Sequence, residues 1–231
     1  MEEDRYLVVK SNTLIQENRY ELDVQEQKIL LYLISKIRPG EEDFDEYEFD
    51  SKDLCRLCGI PLNGQNYKNL RESLASLRDK SFWVKDGARL IYASWIDEPS
   101  IDLCTGQVYV KLGATLKPYL LNLRSNFTSY ELQHTLKMRS KHSIRMYELM
   151  KSYAYLGEVE ITLDKLKINM MLNGYEIYNN LKVKVLDVAV REINSCTDLN
   201  VTYEPVREAR KIKSLKFTIK SKEGGVCDGT V

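Results

Sequence analysis

The chain has 231 residues, enough for two domains of about 100 residues each. A hydrophobic fraction of 43% with 29% charged residues is ordinary for a folded protein and argues against intrinsic disorder. The sequence contains no apolar run of membrane-spanning length, and its N-terminus is acidic rather than that of a signal peptide, so we expect a cytoplasmic protein.

A net charge of zero hides an asymmetry between the two halves of the chain. Residues 1–127 hold 17 Lys and Arg against 21 Asp and Glu, whereas residues 128–222 hold 17 against 11. Much of the acid in the first half lies in one run at 41–46, which we expect to be a solvated loop. The basic second half is therefore the better candidate for contact with phosphate groups.

The five cysteines are scattered, which fits a reducing compartment and excludes a disulfide framework. Cys55 and Cys58 form the one close pair. A zinc site would need two further ligands, and the two histidines, His134 and His142, lie far along the chain. We therefore predict no metal or cofactor, and expect both cysteines to help a short helix pack.

In the first half, Asp23 and Glu26 have the spacing of a capping box and begin an apolar helix that we expect to run to Ile37. The following patterns predict a strand at 47–49, a helix capped by Ser51, a turn at 61–66, a helix at 67–79 and hairpins at 82–96 and 101–112, the first turning at Asp86-Gly87. This order of elements is typical of a winged helix-turn-helix.

The same order recurs in the second half. We expect a helix opening at Thr128–Glu131, a helix from Ser140, a strand at 158–162, a short helix at 164–170, a long helix at 178–195 and a hairpin pairing 199–204 with 214–220. The sequence thus predicts an α+β fold of tandem winged-helix domains at 1–124 and 125–220, with a tail at 221–231.

A helix-turn-helix binds DNA because its second helix fits the major groove and presents side chains to base edges. In the helix at 178–195, the apolar stripe is predicted to contain Leu181, Val185, Val188 and Ile193. The opposite side offers Asn179, Asn180, Lys182, Lys184 and Arg191, and the tip of the following hairpin, the wing, offers Arg207, Arg210, Lys211 and Lys213. These side chains are candidate contacts to bases and phosphates, although the same charges could simply solvate a surface.

The corresponding helix of the first half gives a weaker signal, because its cations are diluted by Glu72 and Asp79. It offers Lys68, Asn69, Arg71 and Arg78, for contact either with DNA or with another protein. Separately, Ser140 and Lys141 begin a helix whose backbone amides could hold a phosphate, or Ser140 could serve as a plain N-cap.

The residue pattern does not predict an enzyme. The two histidines are not arranged as in a metal-dependent nicking site, and no phosphate-binding loop of the Gly-x-x-x-x-Gly-Lys-Ser/Thr type occurs. Tyr153 and Tyr155 are more simply explained as packing residues than as DNA-cleaving nucleophiles.

Several segments resemble the replication initiator proteins of iteron-bearing plasmids. They are VVKSNTLI at 8–15, EQKILLYLIS at 26–35, SKHSIRMYEL at 140–149 and VLDVAVREIN at 185–194, and the similarity extends over 6–220. The resemblance implies paired winged helices that bind repeated origin sequences as monomers and open the adjacent duplex. It also implies dimers, formed largely through the first domain, that repress the protein's own gene, with the host initiator and helicase as partners.

Two features depart from the family pattern. Val183 stands between Lys182 and Lys184 where a denser basic patch is common, and the turn Met170-Met171-Leu172 is unusual. Our leading hypothesis is a plasmid replication initiator. The alternatives are a transcriptional regulator of the same fold, which tandem repeats beside the gene would disfavour, and a nicking initiator enzyme, which covalently tethered DNA would reveal.

Overall fold

The computed structural model describes residues 6–59, 64–86, 88–209 and 211–222. The chain divides into two compact units, Met1–Lys137 and Met138–Val231. The sequence predicts this boundary at 124/125. The division lies later because the strand Phe127–Glu131 (β7) pairs antiparallel with Leu7–Ser11 (β1) and so belongs to the first unit.

The expectation of a helix opening at Thr128–Glu131 is therefore wrong. Thr128 and Tyr130 are buried and alternate with half-buried neighbours, which is the two-residue period of a strand. In the pairing with β1, Tyr130 lies opposite Val8, and both side chains are almost fully buried. Partners more than a hundred positions apart cannot be inferred from local pattern.

The first unit is built around the buried helix Val24–Ile34 (α2), which follows the short helix Asn12–Gln16 (α1). The capping box is confirmed: the Glu26 amide donates to Asp23 Oδ1 at 2.8 Å, and the Asp23 amide donates to Glu26 Oε2 at 2.6 Å. Every residue from Glu26 to Ile34 is buried, and the helix ends before the predicted Ile37.

The winged-helix order of the first unit is present. It consists of the strand Tyr47–Asp50 (β2), the helices Ser51–Cys58 (α3) and Gly64–Asp79 (α4), and the strands Phe82–Asp86 (β3), Arg89–Ala93 (β4), Ile96–Ile101 (β5) and Gln107–Leu112 (β6). Strands β2, β6 and β5 form one sheet in that order, and β3 pairs with β4 in another. Short helices at Lys117–Leu120 (α5) and Gln133–Leu136 (α6) follow.

Local hydrogen bonds explain two small differences from prediction in this unit. Asp50, not Ser51, caps α3, since its carboxylate accepts from the Lys52 amide at 2.6 Å. Residues 102–104, expected in a strand, lie in the β5–β6 turn because the Asp102 carboxylate accepts the amides of Cys104 and Thr105 at 2.7 and 3.1 Å.

The second unit repeats the order with more regular elements. The helix Lys141–Tyr153 (α7) is followed by the strand Glu158–Thr162 (β8) and the helix Leu163–Asn169 (α8). A continuous helical segment then comprises Tyr178–Leu181 (α9), a π-helical turn Lys182–Leu186 and Asp187–Cys196 (α10). The hairpin Leu199–Glu208 (β9) and Lys211–Ser221 (β10) completes a sheet of order β8-β10-β9.

We call residues 178–196 the groove helix and the β9–β10 hairpin the wing. The core beneath them contains Ile144, Tyr147 and Met150 of α7, all fully buried. Ala154, one residue after α7, is half-buried. Leu215 and Phe217 of β10 complete this core, so the groove helix packs against fully buried side chains.

Parts of four predictions fall outside the described residues: the turn at 61–63, Gly87 of the first hairpin turn, Arg210 of the wing and the tail from 223 onward. Within the described ranges, no helix is both long enough and apolar enough to cross a bilayer.

Candidate nucleic-acid interface

The groove helix is amphipathic, with one face in the core and one open to solvent. Leu181, Val185, Leu186, Ala189 and Ile193 are completely buried. Val188, predicted to point inward, is half-buried instead. The π turn accommodates one extra residue, so Leu186 and Ala189 take the place of Val188 in the buried stripe.

The outer face carries most of the predicted contacts. Asn179, Asn180, Lys184 and Arg191 are exposed, and Lys182 is half-exposed. None of the ion pairs among the described residues includes Lys184 or Arg191. Val183, treated as a departure from the family pattern, is 55% exposed between the two lysines. The outer face thus combines amide, cationic and apolar groups, the chemistry that the major groove accepts.

Lys182 differs from its neighbours because its ammonium already has a partner. Lys182 Nζ lies 2.7 Å from Asp187 Oδ2. The other carboxylate oxygen, Oδ1, accepts a 2.6 Å hydrogen bond from the hydroxyl of Tyr203 on β9. Hydrogen bonds from Lys182 and Tyr203 lower the pKa of Asp187, while burial and the Asp187 contact raise the pKa of Tyr203.

The wing lies beside the start of the groove helix. Burial raises the pKa of Tyr178, and Arg207 of β9 is near enough to lower it in part. The Tyr178 hydroxyl is buried and has no hydrogen-bond partner among the described residues. Arg207 is exposed, and its effect on Tyr178 places its charge near the first turn of the groove helix.

The wing strands are longer than predicted, so Arg207, Lys211 and Lys213 lie on strands rather than in a loop. Glu208 pairs with Lys211, and the register shifts between Ile212 and Ser214, leaving Lys213 at the irregularity. Lys213 Nζ is 2.5 Å from Glu208 Oε2, and both side chains are more than half exposed. Such an exposed pair is weak and can exchange for a phosphate.

Backbone amides before α7 are already engaged, contrary to the expectation of a free phosphate site at Ser140 and Lys141. The Glu192 carboxylate accepts the amides of Arg139 and Ser140 at 3.3 Å, and Ser140 Oγ accepts the His142 amide at 3.2 Å. Ser140 is therefore an N-cap. A phosphate here would meet the Glu192 carboxylate, so the geometry favours the plain N-cap, the second of the two alternatives given for Ser140.

The candidate residues of the first unit lie on α4, whose Leu70, Leu74 and Leu77, spaced four and three residues apart, are buried. Arg71 and Arg78, two turns apart on one side, are both exposed. The other two candidates are less available: Lys68 lies 3.7 Å from Glu72, and Asn69 is half-buried.

Sequence reasoning missed Asp187 and Tyr203. A Lys–Asp pair five residues apart has no standard meaning on an α-helix, where pairs three or four apart face each other. The described residues contain no group of three or more His, Cys, Asp or Glu side chains arranged to hold a metal ion.

Comparison with known proteins gives consistent matches along the chain. Residues 7–151 match the first winged-helix domain of the initiator replication protein family, and residues 162–219 match its second. A replication initiation protein of Escherichia coli is 22% identical over 223 residues, covering 92% of this chain and 69% of the relative. The PI protein of Escherichia coli is 28% identical over 131 residues, covering 48% of this chain and 43% of that protein.

Among solved structures, the Pi initiator protein in complex with iteron DNA has a TM-score of 0.76 at 20% identity, covering 96% of this chain and 99% of that one. At this identity the match establishes the fold: two winged-helix domains. Since the first domain match alone spans more than half of the chain, the protein belongs to the initiator replication protein family.

Proposed function

We propose that this protein initiates replication of a bacterial plasmid by binding repeated origin sequences, or iterons, in double-stranded DNA. The observation that carries the proposal is the outer face of the groove helix, where Asn179, Asn180, Lys184 and Arg191 are exposed beside a cationic wing. The related Pi initiator protein was solved in complex with iteron DNA, which supports the same ligand here.

Each group has a role that follows from its chemistry. Asn179 and Asn180, at the start of the groove helix, suit adenine edges, and the exposed Val183 suits a thymine methyl group. Lys184 and Arg191 supply cationic donors to guanine edges or phosphates. On the wing, Arg207, Lys211 and Lys213 contact phosphates, so they set affinity more than sequence preference. Arg71 and Arg78 of α4 give the first unit a smaller share of the phosphate contacts.

The first unit also carries the proposed self-association. On the β3–β4 hairpin, Trp83, Leu90 and Tyr92 are 59%, 67% and 59% exposed. Trp83 and Tyr92 lie opposite each other, with ring centroids 4.9 Å apart. An exposed apolar patch of this kind supports a protein contact. We assign the dimer interface to this patch. We also assign to the dimer the binding of an operator in the protein's own gene.

We place the protein in the cytoplasm. We assign it no catalytic step, because duplex opening after binding needs no nucleophile. Contact with the host initiator and helicase belongs to the same proposal. Incubation with origin DNA and divalent metal should leave the strands intact. Covalently tethered DNA would instead favour a nicking enzyme.

The binding experiment compares variants by fluorescence anisotropy, using duplexes that contain the repeats flanking the gene. Lys184→Ala with Arg191→Ala should weaken binding to the repeat and flatten the logarithmic salt slope by about 1.8, about 0.9 for each lost phosphate contact. The control, Lys220→Ala, removes one positive charge from an exposed position at the end of the wing opposite its tip, and it should leave the salt slope unchanged. Equal affinity of the wild type for repeat and scrambled DNA would refute the proposal.

A further inference from the structure

The groove helix contains one π turn, and that turn determines which side chains can meet. On a regular α-helix, residues five apart point about 140° away from each other. The wider turn at Lys182–Leu186 places more residues in each revolution, so Lys182 and Asp187 come to the same side. Their 2.7 Å ion pair is a consequence of the π turn.

Each oxygen of the Asp187 carboxylate accepts a hydrogen bond, and the two donors belong to different elements. One oxygen accepts from Lys182 in the groove helix, and the other accepts from Tyr203 in the wing at 2.6 Å. Tyr203 is itself fixed, because its ring contacts the buried Phe217 at a centroid distance of 5.9 Å. Asp187 therefore joins the reading helix to the hairpin that accompanies it.

From this geometry we infer that Lys182, Asp187 and Tyr203 form a positioning cluster that fixes the groove helix against the wing, and that Lys182 neither reads a base nor neutralises a phosphate. The inference rests on the proposed DNA binding. It separates two lysines that the sequence treats alike: Lys184 contacts DNA, whereas Lys182 holds the surface that does.

A comparison with the ion pair on the wing supports this assignment. The pair of Lys213 with Glu208 is isolated and more than half exposed, so Lys213 can leave it for a phosphate. Asp187 instead receives a second hydrogen bond from a half-buried tyrosine, and networks of this kind are stronger than isolated pairs. If Lys182 moved to a phosphate, the Asp187 carboxylate would lose the ammonium that contacts it directly and would keep the Tyr203 hydroxyl and the more distant charge of Arg191.

The test uses Lys182→Met and Lys184→Met as matched variants in the full chain, since methionine keeps the apolar stem and removes the charge. On repeat DNA, Lys184→Met should flatten the logarithmic salt slope by about 0.9. Lys182→Met should leave the slope unchanged and reduce the preference for repeat over scrambled DNA by about tenfold, the scale of one charge-assisted hydrogen bond.

A double-mutant cycle with Tyr203→Phe provides the second measurement. Tyr203→Phe removes only the hydroxyl, so the variant should fold, and it should reproduce the loss of preference. Combined with Lys182→Met, it should add little, because both changes disable one cluster. Circular dichroism and thermal unfolding of each variant check that the fold is retained.

The outcomes are distinguishable. A salt slope flattened equally by Lys182→Met and Lys184→Met would overturn the inference, as would fully additive losses in the cycle, while leaving the proposed function standing. A wild-type protein with no preference for the repeat would overturn the proposed function itself.

Discussion

At the scale of single residues, identical side chains have different roles because their surroundings differ. Lys182 and Lys184 are two positions apart, yet one is paired with Asp187 and the other is exposed. The same holds for two glutamates of the first unit. Glu26 is 1% exposed and bonded to three groups, whereas Glu72 is 63% exposed and lies 3.7 Å from Lys68.

Removing the Glu26 carboxylate should destabilise the first unit. Glu26 accepts the Asp23 amide and the Ser76 hydroxyl, and forms two 2.7 Å contacts with Lys80, so it links α2 to α4. Glu26→Ala should lower the free energy of unfolding by about 3 kcal/mol, since buried donors lose their acceptor. Urea denaturation followed by circular dichroism measures this change.

Glu72→Ala is the matched control and should change stability by no more than about 0.5 kcal/mol, because the pair that it breaks is solvated. Similar effects from the two variants would mean that Glu26 does not hold the two helices together.

At the scale of elements, the two units differ in their hairpins. The sheet orders β8-β10-β9 and β2-β6-β5 make β5–β6 the counterpart of the wing, so β3–β4 is an additional hairpin of the first unit, and its surface is different. The wing presents Arg207, Lys211 and Lys213, whereas the first hairpin presents Trp83, Leu90 and Tyr92. Among the described strands, β3 and β4 pair only with each other, so the outer edge of each is available to a partner strand. The hairpin that we propose for DNA thus belongs to a sheet plan found in both units, whereas the hairpin that we propose for a protein contact lies outside the corresponding sheet of the first unit.

Replacing the aromatic pair of the first hairpin should weaken self-association. Trp83→Ser with Tyr92→Ser removes two large exposed rings, and the dimer dissociation constant measured by sedimentation should rise by at least about tenfold. Leu103→Ser is the control, since Leu103 is 78% exposed in the turn of another hairpin. If that control weakens the dimer equally, the contact lies elsewhere.

At the scale of the whole molecule, the first unit is closed by a strand that follows all its winged-helix elements. Strand β7 pairs with β1 near the start of the chain, so the two ends of the unit meet in one small sheet. The opposed Val8 and Tyr130 are 0% and 3% exposed. The unit is therefore complete only when the residues after 124 are included.

A fragment of residues 1–137 should consequently be more stable than one of residues 1–124. Loss of β7 exposes Val8 and removes Tyr130, and burial of two such side chains contributes about 4 kcal/mol. That is a large part of the total stability of a small domain. Thermal unfolding should show a cooperative transition for the longer fragment and a lower or absent one for the shorter. Equal transitions would place the boundary at 124 after all.

The sequence by itself determined the features that depend on near neighbours in the chain. The capping box at Asp23, the leucine stripe of α4 and the winged-helix order of both halves follow from spacings of three to four residues or from turn chemistry. The recurrence of this order predicted the tandem arrangement, which the two family matches confirm, and the outer face of the groove helix followed from its amphipathic pattern.

Only the tertiary structure decided what depends on distant partners. Strand β7 exists because β1 lies beside it, the amides before α7 are engaged because Glu192 lies near them, and the π turn pairs Lys182 with Asp187 and Tyr203. None of these contacts has a recognised short-range signature. Strand β1, Glu192 and Tyr203 are brought to their partners by burial of the core, and the Lys182–Asp187 pair depends on a π turn that the local pattern does not predict. Local pattern predicted a candidate interface, and packing selected which of its cations face solvent.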